Sequence, residues 1–380
     1  MFISRRQYGF ATKLKLSLAA GLVASTLTGA ALAGSATAAT TSCAHATSAK
    51  SCGGLSALVR AAKKEGVLKV ITLPRNWANH GQIIDGFSKR YGIKVNSYTP
   101  DGSSQDEINA VVQDKGRAQA PDVLDVGTSY ATSNLGLLAP YRVATWNSIP
   151  SQLKNPNGRW FDDYGGYVSI GCNTKIVSVC PTSFKQLLNP MYKSEVGING
   201  DPTQAGAAFA AVFAASLANG GSFGNIQPGI DFFAQLNKVG NYVPGGSAAT
   251  AASGTTPILI WWDYLQSAVK QTLPSWKVNI PTDSSYAAYY TQAINASAPH
   301  PAAARLWEEF LYSTEGQNLW LQGNARPVEL PTLVKRNRAN KTWLAALPIA
   351  PAGATTFPSL AQLSTAKNVV AANWSAAISG

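Results

Sequence analysis

The chain has 380 residues, of which 46% are hydrophobic and only 13% are charged. Lysine and arginine exceed aspartate and glutamate by 31 to 19, which gives a formal net charge of +12 at pH 7. A nucleic-acid-binding protein of this charge would cluster its basic residues, and only the short run 335–338 approaches such a cluster. We therefore expect no nucleic-acid partner.

The first 38 residues resemble a cleavable signal peptide. A basic start, an apolar run over about 16–32 and two A-x-A motifs ending at residues 33 and 38 follow the order of secretory leaders. The apolar run is too short and too rich in Gly, Ser and Thr for a membrane span. Removing its four basic residues lowers the net charge to about +8 (12 − 4). Residues 4–8 also resemble a twin-arginine signal, so both export pathways stay open.

This leader predicts an exported protein that works in a periplasm or in the extracellular or cell-wall space. Cys43 follows Thr41-Ser42 instead of the Leu-Ala-Gly type of context found in bacterial lipoproteins, so we expect no lipid anchor. No second long apolar run follows the leader, which predicts a soluble mature chain. Residues 39–52 are rich in small polar residues and are expected to form a flexible N-terminal segment.

Four cysteines form two close pairs in the sequence, Cys43 with Cys52 and Cys172 with Cys180. Even numbers of cysteines at short spacing indicate local disulfides in an oxidising compartment. The alternative is a zinc site, which needs four convergent nitrogen or sulfur ligands. His45 is the only histidine near a cysteine in the sequence, so disulfides are favoured and no metal site is expected.

Predicted strands and helices alternate along the rest of the chain. In order they are helix 56–64, strand 67–73, helix 81–91, strand 93–98, helix 104–115, strand 123–126, strand 167–170, helix 183–188, strand 196–199, helix 203–217, helix 228–239, strand 258–261, helix 264–271, strand 277–280, strand 288–295 and a helix from Pro301. Gly66 is placed to end the first helix, and Ser104-x-x-Glu107 has the pattern of a capping box. This alternation predicts an α/β fold with mainly parallel sheets flanked by helices, and about 340 mature residues favour two lobes.

The loops that follow the predicted strands carry the candidate binding residues. In parallel α/β sheets ligands bind beyond the carboxyl ends of the strands, and aromatic, hydroxyl, amide and acidic side chains gather there in this sequence. These residues are Asn76, Trp77, Thr128, Ser129, Tyr130, Thr203, Gln204, Ala205, Trp262, Asp263 and Tyr264. None of these loops pairs a histidine with a carboxylate, so we expect no enzyme activity and no cofactor.

Four stretches resemble, in their order and spacing, the extracellular solute receptors of ABC importers. They are A-A-K-K-E-G-V-L-K-V within 58–70, A-P-D-V-L-D-V at 120–126, N-G-D-P-T-Q-A-G-A-A at 199–208 and A-P-H-P-A-A-A-R-L-W-E-E-F-L-Y-S-T-E-G-Q at 298–317. These receptors are two-lobed periplasmic binding proteins of the second type. The branch that looks nearest includes receptors for ferric iron, polyamines, thiamine and aminophosphonates.

The resemblance implies two α/β lobes with a ligand cleft between them. Lobe one would comprise residues 53–166 and 287–380, including the C-terminal helices, and lobe two residues 167–286. Hinges would lie at 164–167 and 282–286, which adds Tyr167 and Tyr286 to the candidate binding residues. The implied function is a monomeric receptor that captures a small polar solute, such as a polyamine or an aminophosphonate, and delivers it to a membrane permease.

Two of the loops would bind opposite charges. Asp201-Pro202-Thr203-Gln204 opens a predicted helix, whose free N–H groups at 203–205 can hold a phosphate, phosphonate or carboxylate. In the alternative, Asp201 caps that helix itself. Trp262-Asp263-Tyr264 can hold an ammonium between a carboxylate and aromatic faces, unless Asp263 caps the next helix. Together, an anion site and a cation site would suit a zwitterion.

Two motifs raise other possibilities. Tyr289-Tyr290 invites comparison with the tyrosine pair of ferric receptors, although alternate residues of a strand face opposite sides, so ferric iron stays an alternative ligand. Residues 220–224 fit the G-x-S-x-G motif of hydrolases, yet they follow a predicted helix instead of the strand that a nucleophile elbow needs. A secreted hydrolase is therefore the alternative function, and no catalytic residue is assigned.

Overall fold

The computed structural model of the protein describes residues 42–352 and 356–379. The predicted signal peptide lies outside these residues. Within them, no helix combines the length and the apolar composition that crossing a bilayer requires.

The chain folds into helices and strands that alternate in the order expected of an α/β protein. The helices are α1 Leu55–Glu65, α2 His80–Tyr91, α3 Ser104–Gln113, α4 Thr128–Ser133, α5 Gly206–Ala218, α6 Gln227–Lys238, α7 Ala248–Ser253, α8 Asp263–Thr272, α9 Pro301–Leu311, α10 Thr314–Gln322, α11 Leu330–Lys335, α12 Lys341–Ala345 and α13 Leu360–Ile378. The strands are β1 Val67–Ile71, β2 Lys94–Tyr98, β3 Val123–Gly127, β4 Leu138–Ala139, β5 Phe161–Asn173, β6 Val196–Ile198, β7 Tyr242–Val243, β8 Ile258–Trp262, β9 Trp276–Asn279, β10 Ala287–Asn295 and β11 Arg326–Pro327.

Local sequence signals set most of the element ends. Gly66 ends α1 with a φ of 74°, a conformation that costs glycine little. The capping box of α3 is formed by Ser103 and Asp106 instead of the predicted Ser104 and Glu107, because the Glu107 carboxylate points inward to Thr72 and Asp125. The predicted helix 183–188 is only a short 3-10 turn over Lys185–Leu188.

The strands form one parallel pair, β1 with β2, and a larger sheet in the order β3-β10-β5-β8-β6-β7. The first half of β5 pairs with β10 and β11, and its second half pairs with β8 and β9. All of these pairings with β5 are antiparallel, while β6 runs parallel to β7 and β8. The α/β prediction is confirmed, but the sheet is mixed because β5 and β10 cross its centre in opposite directions.

Residues 42–52, which belong to the segment predicted to be flexible, pack against the rest of the described chain. Both expected disulfides are present, Cys43–Cys52 and Cys172–Cys180. Ala46 is fully buried and its carbonyl accepts a hydrogen bond from Arg305. The segment therefore becomes a short disulfide-closed loop that is held against α1 and α9.

The core is rich in alanine and aromatic side chains. Most of α5 is buried, and its small alanines let it pack closely against α6. The last helix, α13, packs against both α6 and α4. Its Trp374 meets the rings of Phe233 and Tyr242, and its Lys367 ammonium lies 3.5 Å from the centre of the Tyr130 ring. The predicted C-terminal part of lobe one thus also contacts a helix expected in lobe two.

Candidate functional site

A cavity of about 460 Å³ lies where β1, β2 and β6 end and where α3, α5 and α7 begin. We call it the first compartment. Its main polar and aromatic lining residues are Thr72, Asn76, Trp77, Asp101, Ser103, Ser104, Glu107, Asp125, Asn199, Ser247, Trp261 and Tyr290. The described residues that line it include three carboxylates but no lysine or arginine.

Asp125 lies on β3 in the first compartment and is only 6% exposed. Its Oδ2 accepts a hydrogen bond of 3.0 Å from the Tyr164 hydroxyl and lies 3.3 Å from Nε2 of His80. Its Oδ1 has no hydrogen-bond partner among the described residues. Leaving a buried carboxylate oxygen without a donor is costly, so Asp125 is a candidate to bind a ligand that brings a donor to this cavity.

Glu107 lies beside Asp125, but other groups of the protein already donate hydrogen bonds to both of its carboxylate oxygens. The Thr72 hydroxyl donates to Oε1, and the backbone N–H of Asp125 donates to Oε2 at 2.9 Å. Burial raises the pKa of Glu107 well above its ordinary value, and the charge of Asp125 adds to the rise. Both oxygens of Glu107 thus have donors within the protein, and Asp125 is the acid of this pair with an oxygen that lacks one.

Aromatic rings form one wall of the first compartment. Trp77 meets Trp261 edge to face at 5.7 Å and Tyr290 at 5.8 Å between ring centroids. Its Nε1 donates to the Tyr164 hydroxyl at 2.9 Å, and that hydroxyl donates to Asp125. This chain of hydrogen bonds fixes the wall relative to the carboxylate. Aromatic faces beside a carboxylate form a site that suits a cation.

The first turn of α5 supplies backbone donors to the same compartment. No side chain caps this helix, so the N–H groups at 206–208 have no helical partner. Asp201 closes a separate turn, since its Oδ1 accepts from the backbone N–H and the hydroxyl of Thr203 at 2.7 and 2.6 Å. The free donors therefore lie at 206–208 and not at the predicted 203–205, and Gly206 and Ala207 line the cavity.

A smaller cavity of about 50 Å³ adjoins the first and shares Gly206 and Tyr290 with it. We call it the second compartment. Gly127, which lines the second compartment, lies close to Gly206, since a Cβ added to Gly206 would lie 3.4 Å from the Cα of Gly127. The other lining residues of the second compartment include Thr128, Ser129, Asp162, Phe209, Trp262, Tyr286, Tyr289, Phe357 and Leu363. Phe357 and Leu363 belong to the C-terminal segment, which therefore supplies part of the wall.

Asp162 is the acid of the second compartment. The hydroxyls of Thr291 and Thr128 donate to its Oδ1 at 2.6 and 3.2 Å. Burial raises the pKa of Asp162 to about 7, and these two hydrogen bonds oppose the rise. This carboxyl group therefore changes charge near neutral pH.

The structure does not assemble the predicted ammonium site at 262–264. Asp263 is fully buried, and its Oδ2 forms an ion pair of 2.6 Å with Arg326. Its Oδ1 accepts the backbone N–H groups of Tyr167 and Tyr264, both at 3.0 Å. Burial raises the pKa of Asp263 while Arg326 opposes the rise. Because Arg326 and two backbone amides already fill both oxygens, Asp263 has no free acceptor for a ligand.

The remaining predicted residues divide between the two compartments and the core. Asn76, Trp77 and Ala205 line the first compartment, and Thr128, Ser129, Trp262 and Tyr286 line the second. The residues that line neither are Tyr130, Tyr167, Thr203, Gln204, Asp263 and Tyr264. The Tyr130 hydroxyl donates to the carbonyl of Thr203 at 2.8 Å, which holds the loop before α5 against α4.

The structure also shows where the two motifs of the alternative functions lie, the tyrosine pair at 289–290 and the G-x-S-x-G motif at 220–224. Tyr290 lines both compartments, and Tyr289 lines only the second, where its ring packs against Phe357. Among the described residues, no group of three or more His, Cys, Asp or Glu side chains could hold a metal ion. Ser222 lies in the turn between α5 and α6, where its Oγ accepts the N–H of Gly224, and no strand precedes it.

Comparison with known proteins identifies the family. Residues 123–347, more than half of the chain, match the family described as bacterial extracellular solute-binding protein. The chain belongs to this family. Its members are the solute-binding proteins of ABC importers, which are exported transport proteins and not enzymes. The predicted family resemblance is thereby confirmed.

Solved structures show the same fold in other solute-binding proteins. AfuA from Actinobacillus pleuropneumoniae, with fructose-6-phosphate bound, has a TM-score of 0.67 and 20% identity over 83% of this chain and 99% of its own. Iron-bound HitA from Pseudomonas aeruginosa has a TM-score of 0.58 and 17% identity over 80% and 97%. The spermidine/putrescine substrate-binding protein PotD from Streptococcus pneumoniae, in complex with calcium and HEPES, has a TM-score of 0.55 and 13% identity. This match covers 82% of this chain and 99% of PotD. These likenesses confirm the two-lobed α/β fold alone.

Several lining residues of this solute-binding protein were not predicted, notably Asp125 and Trp261. Asp125 had a visible signal, because an acid inside the apolar strand V-L-D-V is unusual unless it serves a purpose. Trp261 and Trp262 alternate across β8, and the sequence does not show which of them faces the cavity. The C-terminal wall at 357–363 lies beyond the family match, which ends at 347.

Proposed function

We propose that this solute-binding protein is the receptor of an ABC importer for a small polar solute with an amine group. The observation that carries the proposal is the unpaired Oδ1 of buried Asp125 beside the aromatic wall. An ammonium group would donate to this oxygen in a charge-assisted hydrogen bond. The faces of Trp77 and Trp261 would add a cation–π attraction of roughly 0.5–2 kcal/mol.

The charge of the first compartment favours an amine over a solute that is only anionic. Carboxylates line it and no described lysine or arginine does, so an anion would meet no cationic side chain there. The backbone donors at the start of α5 still favour an acidic group at one end of the ligand. A zwitterion such as an aminophosphonate is thus the second candidate beside a polyamine.

Isothermal titration calorimetry of the mature protein tests this proposal. Putrescine, spermidine, 2-aminoethylphosphonate and inorganic phosphate form the ligand panel. We expect an amine to bind and Asp125→Asn to weaken it by about 30–100-fold, equivalent to roughly 2–3 kcal/mol for a charged hydrogen bond. Asp101→Asn, which removes an exposed acid of the same compartment, is the matched control and should change the affinity far less.

Two results would contradict the amine assignment. One is that no amine of the panel binds while phosphate or a neutral solute does. The other is that Asp125→Asn binds the amine as tightly as the wild type. Native mass spectrometry of the protein as purified would identify a solute that is carried through purification.

Export and delivery complete the proposed function. We propose that the leader is removed near residue 38, that the mature protein works as a free monomer in a periplasm or cell-wall space, and that the loaded lobes dock on a membrane permease. N-terminal sequencing of the exported protein should give a start near residue 34 or 39. A start at residue 1, or at a lipid-modified Cys43, would contradict this account.

A further inference from the structure

A third cavity, of about 250 Å³, shares no lining residue with either compartment. It lies between the N-terminal disulfide loop, β4, the end of β10 and the start of α9. Its titratable side chains are His45, Arg159 and Arg305, and none of the described residues that line it is an aspartate or a glutamate. We call it the basic pocket.

Arg305 is the buried cation of the basic pocket and is only 4% exposed. Its Nε donates to the Ala46 carbonyl at 2.7 Å, and its Nη1 donates to the Pro301 carbonyl at 2.8 Å. Within the part of the chain that the structure describes, its Nη2 makes no hydrogen bond and its guanidinium forms no ion pair. A buried charge without a counterion is unfavourable, so an anion bound beside the Arg305 guanidinium would be stabilising.

The nearest acids are occupied elsewhere. Glu65 accepts the first backbone N–H groups of α9, at 3.1 and 2.7 Å. Glu309, one turn after Arg305, accepts from the Tyr141 hydroxyl at 2.7 Å. Burial lowers the pKa of Arg305, and the neighbouring Tyr141 and Glu65 only partly offset it. These acids therefore form no ion pair with Arg305.

Arg159 brings a second guanidinium to the same pocket. Its Nη1 donates to the Leu138 carbonyl at 2.5 Å, which fixes the side chain, and it is partly exposed. Its Nε and Nη2 make no hydrogen bond to a described residue. Each guanidinium presents its donors in a fork that matches the oxygens of a tetrahedral anion, and both arginines line this pocket.

We propose that the basic pocket binds a phosphate or sulfate oxyanion between Arg159 and Arg305. The anion would supply the counterion that Arg305 lacks and would tie the disulfide loop to α9. The same chemistry could come from a free inorganic ion or from the phosphate of a lipid headgroup. This site is separate from the first compartment, so the inference does not rest on the proposed amine ligand.

Titration calorimetry with sodium phosphate and sodium sulfate, at an ionic strength held constant with sodium chloride, tests the pocket on the mature protein. We expect saturable binding of one oxyanion and no binding of chloride. Arg159→Gln should weaken this binding at least tenfold, and Arg159→Lys, which keeps the charge, should weaken it less. Arg338→Gln, at an exposed arginine elsewhere on the surface, and Asp125→Asn in the first compartment should leave it unchanged.

A second arm separates the two sources of phosphate. Binding to phosphatidylglycerol vesicles that is lost in Arg159→Gln, without binding of the free ion, would assign the site to a lipid headgroup. Equal affinity of the wild type and both Arg159 variants, or no oxyanion binding in either arm, would overturn the proposal. If Arg159→Gln does not fold, as judged by circular dichroism, the Arg159→Lys variant decides the same question.

Discussion

Replacing Asp162 by asparagine should change how the stability of the protein depends on pH. Asp162 is 2% exposed on β5, and two threonine hydroxyls donate to its Oδ1. Burial raises its pKa from 3.8 to about 7. Asparagine keeps an acceptor oxygen of nearly the same size for both hydroxyls but cannot become charged, so the variant removes the titration and little else.

The sign and the size of the effect follow from proton linkage. A carboxyl whose pKa is raised on folding contributes its full stability below the unfolded pKa and loses it as the pH rises through the folded pKa. For Asp162 the loss falls between about pH 4 and pH 7 and amounts to about 4 kcal/mol in total, because each tenfold change in proton affinity is worth about 1.36 kcal/mol. Between pH 4.5 and pH 8 the asparagine variant should gain about 3 kcal/mol relative to the wild type.

Urea unfolding of both proteins at pH 4.5 and pH 8 measures this difference. Buried acids that do not interact with Asp162 titrate alike in both proteins, so their contribution cancels when the two are subtracted. The neighbouring Asp163 is an exception, because burial raises its pKa and the charge of Asp162 adds to the rise. Asp231→Asn, at an exposed carboxylate on α6, is the control and should show no such gain. If the free-energy difference between Asp162→Asn and the wild type is the same at both pH values, the reasoning about burial is refuted.

Three further changes test other parts of the structure. Asp263→Asn leaves Arg326 without its buried partner and should lower the free energy of unfolding by about 3–5 kcal/mol; a loss below about 1 kcal/mol in urea unfolding would contradict this role. Ending the chain at Ala352 removes α13 and the outer wall of the second compartment. The thermal midpoint of unfolding should therefore fall, and amide hydrogen exchange in β10 should become faster. Unchanged exchange in β10 would contradict a protective role of α13. The double variant Cys172→Ser/Cys180→Ser opens a loop closed at a separation of 8 residues and should cost about 2–3 kcal/mol in urea unfolding; an unchanged midpoint would contradict this.

The order of helices and strands could be predicted because it depends on local periodicity. Apolar spacing and the signals at element ends, such as Gly66 after α1, are contained in short windows of sequence. The direction of β5 and β10 could not be predicted in this way. Their antiparallel pairing joins residues at least 120 positions apart, such as Tyr167 with Ala287, and depends on how the whole chain is routed.

The chemistry of the site was harder to predict than the fold. The motif at 262–264 indicated an ammonium site, but Asp263 is paired with Arg326, which lies 63 residues away and carries no local signal. Asp125 could be recognised as an acid in an apolar strand. Its oxygen without a donor could not be recognised, because it is the one that neither His80 nor Tyr164 contacts. Partners that are distant in the sequence therefore decide which acid is available to a ligand.

A crystal structure of the mature protein with the tightest-binding amine would test the central claim most directly. The account predicts a ligand nitrogen within about 3.2 Å of Oδ1 of Asp125, with Trp77 and Trp261 against the same group. An amine bound elsewhere, with Oδ1 of Asp125 still lacking a donor, would contradict it.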